Sequence, residues 1–102
     1  MKNYKPKEVT IAGHKFSIVY KTMKDFGELD FDSNKIYISN KIKGEVLLDT
    51  IIHEGVHVMF ALSGLGCIIE DVHDELEESL VRAYENIVTP FLKEQYKEFD
   101  KK

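Results

Sequence analysis

Cysteine is nearly absent: Cys67 stands alone in 102 residues. No intrachain disulfide can form, so the fold must be held by packing, and a reducing compartment is expected. Cys67 also lacks a C-x-x-C partner, and Gly64-Leu65-Gly66-Cys67 reads as a turn. Long apolar runs are missing too. The longest, Val56 to Leu62, is interrupted by His57 and is far too short to span a bilayer. The opening "MKNYKPKEVT" has no apolar core of a signal peptide, so a cytoplasmic location is expected, with no membrane partner. There is no basic stretch either. Net charge is −4, and the lysines are spread among acids, which argues against nucleic acid as a partner. No repeat, low-complexity tract or linker divides the chain, so residues 1–102 are expected to form one domain.

What is present falls into two halves. "EVTIAGHKFSIVY" alternates apolar and polar positions around Ala12-Gly13, which predicts a hairpin over about 8–12 and 14–20. "ELDFDSNKIYIS" repeats the pattern around Asp32-Ser33-Asn34. A small antiparallel sheet of three or four strands over about 8–40 follows, with Lys21 to Gly27 as connector. From Gly44 the apolar residues take a helical arrangement for about twenty positions, and Ser63-Gly64-Leu65-Gly66 stops it. A second helix is expected over about 75–96, with Asp74 as N-cap and Glu77 in the capping-box place. Pro90 should kink or divide it near Thr89. The fold class expected is α+β.

The first helix carries "IIHEGVHVMF", in which His53 and His57 are four residues apart and Glu54 follows the first. Positions i and i+4 share a helix face, about 6 Å apart along the axis. Two imidazole nitrogens there can take two corners of a zinc tetrahedron. Glu54, one residue round, is placed to take a proton from a zinc-bound water, which is why H-E-x-x-H needs its Glu directly after the first His. Two histidines buried in such an apolar helix would otherwise each need a polar partner. Zn2+ is therefore the expected cofactor, with His53 and His57 as ligands and Glu54 as catalytic base.

A third protein ligand is required. Phe60 and Ser63 occupy the places where H-E-x-x-H-x-x-G-x-x-H would carry its Gly and last His, so that arrangement is excluded. The remaining candidates are Glu70, Asp71, Glu75, Glu77 and Glu78, with His73 beside them. Glu77 points along the apolar stripe of the second helix, with Leu80, Val81 and Tyr84 at i+3, i+4 and i+7. Glu78 points about 100° away, toward Arg82 and Glu85. A glutamate inside a buried stripe is costly unless it is paired or binds a cation, so Glu77 is the expected ligand and Glu78 its rival.

At this point "TIIHEGVHVMF", followed by His73-Asp74-Glu75-Leu76-Glu77-Glu78-Ser79-Leu80-Val81, resembles the small gluzincin-type metallopeptidase-like proteins, many of them encoded by bacteriophages and prophages. The resemblance covers most of the chain. It implies a minimal zincin core, a sheet packed on the active-site helix with a Glu-bearing helix behind, with His53, His57 and Glu77 on zinc and Glu54 as base. Larger peptidases of this type add a second lobe, for which 102 residues leave no room. They also supply a Tyr or His to the oxyanion, for which Tyr84, His73 and Tyr37 are open here. "KIYIS", Lys35 to Ser39, is a possible edge strand for an extended peptide. His14 is expected on the surface.

Three functions compete. The first is hydrolysis of a peptide bond in a peptide or protein substrate by zinc-bound water. The second is a non-catalytic zinc-binding module on a zincin-like fold. The third is a metal-free interaction protein that docks through its second helix. The presence of Glu54 favours the first, since a purely structural zinc site has no need of a base.

Overall fold

The computed structural model describes residues 4–63 and 75–100, and Cys67, Glu70, Asp71, His73 and Asp74 lie outside them. It is an α+β fold. The strands are β1 (Glu8–Ile11), β2 (His14–Lys21), β3 (Gly27–Asp30) and β4 (Lys35–Ser39). Helix α1 spans Gly44–Ser63 and α2 spans Leu76–Ala83. A π-helical turn, Tyr84–Val88, then leads into α3, Thr89–Asp100.

The first hairpin forms where the alternation placed it. Its turn residues, Ala12 and Gly13, both have positive φ, 51° and 82°, the two-residue geometry that matches strand twist. Asn34 (φ 56°) closes the second hairpin, and the Asp30 carboxylate accepts a hydrogen bond from the Ser33 N–H at 3.3 Å.

The expectation of an antiparallel sheet is corrected. The order is β1-β2-β4-β3, and the β2–β4 pair is parallel, with Ile18 opposite Ile36 and Tyr20 opposite Ile38. After β2 the chain swings out through residues 22–26 to make β3 first. The hairpin then turns back and β4 fills the gap between β2 and β3. The Lys35–Ser39 segment is therefore an interior strand, hydrogen-bonded on both sides, and cannot serve as a peptide-binding edge. The edges are β1 and β3.

One face of the sheet packs on α1. Phe16, Ile18, Ile36 and Ile38 from the sheet meet Leu47, Ile51 and Val58 from the helix. Burial of these side chains is worth about 1.5–3 kcal/mol each before entropy is counted. The pleat sends Tyr37 to the opposite face, where the Lys21 ammonium lies 4.3 Å from its ring centroid. Among the described residues, α1 is the one helix long and apolar enough by length and composition to cross a membrane, and here it lies against the sheet.

The long second helix is interrupted next to Pro90, with a new α-helical stretch beginning at Thr89, as the proline implies. It widens just before it: the Thr89 N–H reaches back to the Tyr84 carbonyl, five residues away, and helix resumes through Pro90 to Asp100. A proline lacks the N–H of a regular helix and its ring crowds the preceding turn, and a wide turn relieves both. Helix α2 starts after Glu75, which makes no side-chain cap.

Candidate metal centre

Helix α1 offers its two sides to different partners. Leu47, Ile51 and Val58 face the sheet, whereas His53 and His57 face α2 and the π turn. The two imidazole rings lie 5.1 Å apart, tilted by 65°. Each ring is held at Nδ1 by a carboxylate. The Nδ1–H of His57 donates to Glu77 Oε2 at 2.5 Å, and that of His53 donates to Glu85 Oε1. Glu78 Oε1 lies 2.6 Å from the other nitrogen of His57, Nε2.

His53, His57 and Glu78 thus bring one donor atom each within 4.8 Å of one another. Bonds of about 2.0–2.2 Å around a tetrahedral zinc ion put neighbouring donors roughly 3.4 Å apart. The longest separation must therefore shorten, and the His57–Glu78 contact must open, by about an ångström or so. Side chains of this exposure can do that: Glu78 is 47% exposed and His57 17%. Two imidazoles and one carboxylate are also the donor set that zinc takes in open, catalytic sites. The residues present fit the cation. Carboxylates at Nδ1 of both rings supply what zinc-bound histidines usually have, a partner that fixes the tautomer and turns Nε2 outward.

The expected residues are placed as follows. His53, His57, Glu54 and Glu77 all come together. Glu77 stands at Nδ1 of His57, and Glu78 belongs to the group of converging donors. Glu75 is exposed at the start of α2, and His14 is exposed as expected. Tyr37 lies on the far face of the sheet, which removes it as an oxyanion partner. Tyr84 is half-buried and lines an apolar groove of about 850 Å³ between β1, α1 and α3, away from Glu54.

Glu85 was not anticipated. Its signal was present: it follows Glu78 by seven residues, two helical turns, so the two share a face. By sequence alone that face, shared with Arg82, reads as polar and solvent-facing.

Glu54 is 8% exposed, and no described residue hydrogen-bonds to its carboxylate. Burial holds it above the usual carboxylate range, with the imidazoles of His53 and His57 pulling the other way. It faces a cavity of about 570 Å³ that it shares with His53 and Glu85. Gly27, at the start of β3, makes room for it. A Cβ built there would lie 2.8 Å from Thr50 Cγ2 and 3.2 Å from Glu54 Oε2. Edge strand, Glu54 carboxylate and imidazole therefore meet at one opening.

No protein-family model, curated protein or solved structure matches this chain.

Proposed function

We propose that the chain is a zinc-dependent hydrolase of peptide bonds on a minimal zincin-like core. One observation carries this reading. Three donor atoms converge from His53, His57 and Glu78, with carboxylates behind both rings and the buried Glu54 beside them. His53, His57 and Glu78 would hold the cation, with Glu77 and Glu85 orienting the rings.

When bound, the cation supplies Lewis acidity toward water and toward a carbonyl oxygen. Glu54 takes a proton from the attacking water and returns it to the leaving amine. Its place in the cavity beside His53 suits it to both steps. Among the described residues no strand pairs with the outer edge of β3, which begins at Gly27, against Glu54, and supports an extended peptide as the substrate. A cytoplasmic setting, with no nucleic acid or membrane partner, completes the reading.

The test is hydrolysis of a mixed peptide library by zinc-loaded protein, followed by mass spectrometry, beside Glu54→Gln. Loss of a general acid–base should lower the rate by about 10²–10⁴-fold with zinc retained. Equal zinc and equally absent cleavage in both proteins would leave a non-catalytic zinc module instead.

A further inference from the structure

The cavity beside Glu54 has a composition of its own. Val46, Asp49, Thr50 and His53 recur along one side of α1, at helical spacing, and form one wall. Phe26, 58% exposed, and Val46, 45% exposed, present apolar surface to it. Three carboxylates, Asp49, Glu54 and Glu85, line it, and among the described residues no lysine or arginine does. Of these, Glu54 is more than nine-tenths buried, without a hydrogen-bond partner among the described residues, and open to the cavity. Asp49 is tied from outside by Lys93, whose Nζ lies 2.5 Å from Oδ1, and the same ammonium also serves Glu45 at 3.6 Å. Glu45 and Lys93 lie outside the cavity, and the carboxylates that line it outnumber that one ammonium.

We infer that this cavity takes a cationic group on an apolar stem, so that the substrates cut at this site carry lysine or arginine beside the scissile bond. The inference rests on the peptidase reading for its consequence but not for its binding chemistry. The aliphatic stem of lysine or arginine covers Phe26 and Val46, while the charged head meets Asp49 and Glu85. A volume of about 570 Å³ is ample for one such side chain with its hydration, and within the range of small-ligand sites. A zinc ion held by His53 would offset the nearby Glu54, so the substrate's cation is left to Asp49, which already holds Lys93, and to Glu85, which already holds His53 Nδ1. The free amino terminus of a peptide offers the same positive charge, so the two sources must be separated.

The experiment is calorimetric titration of three short peptides onto the full chain, with and without added zinc, at low and high salt. One carries a central lysine with blocked ends. The second has norleucine in its place, which keeps the stem and removes the charge. The third is the norleucine peptide with a free amino terminus. The lysine peptide should bind at least about tenfold tighter than its blocked norleucine partner, and the gap should narrow with salt. Asp49→Asn should shrink the gap, and Lys93→Met, which frees Asp49, should widen it. Tightening by the free amino terminus alone would keep the cationic site but overturn the side-chain assignment. Equal binding of lysine and norleucine peptides, or no binding of any, would overturn the inference. A failure of the zinc reading would show separately, as a chain that binds the lysine peptide but holds no metal.

Discussion

Glu85 closes a carboxylate oxygen on Nδ1 of His53 across 32 positions of chain, from the π-helical turn to the middle of α1. The wide turn lies where the α-helical ladder is interrupted, and it carries the residue that orients one of the two imidazoles. The irregular turn just before Pro90 and the residue that holds His53 thus fall on the same five residues.

Removal of that contact should be felt by the metal before the fold. Glu85→Ala is expected to weaken zinc binding by about 10–100-fold, as loss of an outer-shell partner does. Competition against a chromophoric chelator measures it, with circular dichroism to show that the helices persist.

Glu77 and Glu78 should separate by the size of their effects. Glu78→Ala removes a donor and should abolish stoichiometric zinc. Glu77→Ala leaves His57 Nε2 and Glu78 in place and should weaken binding by about 10–100-fold only. The reverse order of effects would make Glu77 the third ligand, as the helical stripe argued.

Gly27→Ala tests the packing of β3 on the site. The added methyl group meets Thr50 Cγ2 at 2.8 Å and Glu54 Oε2 at 3.2 Å. Overpacking of this kind costs about 1–3 kcal/mol, read from urea unfolding, and hydrolysis should fall as Glu54 is displaced.

Lys93 ties α3 to α1, and its effect has a defined pH window. Its hydrogen bond to Asp49 holds the ammonium above the usual lysine range, against a smaller opposing effect of burial. A cation with a raised folded pKa stabilises fully below the unfolded value of 10.5 and loses that effect as pH rises through the folded one. Lys93→Met should therefore cost about 0.2–1 kcal/mol at pH 7, the range of a partly exposed ion pair. The difference should vanish in strong alkali and shrink in high salt.

The parts legible in the sequence were those governed by local periodicity. The helix expected over about 44–64 is Gly44–Ser63, and the Ala12-Gly13 turn stands where the alternation broke. The strand order was not legible. Alternation marks Ile36 and Ile38 as inward-facing, yet it says nothing of whether their strand pairs on one side or two. That depends on the path of residues 22–26, which carry no pattern. The inward face of α2 was legible only in part. Val81 is fully buried and Glu77 meets His57, as the stripe implies, but Leu76 and Leu80 are 37% and 39% exposed and Ile87 is 69% exposed. Glu78 and Glu85, on the side that reads as polar, also meet the imidazoles of α1.

The most direct test is zinc content by elemental analysis of untagged protein, purified without chelator, beside His53→Ala and Glu78→Ala. The account predicts about one zinc per chain in the wild type and none in either variant. A wild type that stays free of zinc after incubation with the metal would contradict it, and the imidazole–carboxylate pairs would then be hydrogen bonds serving the fold alone.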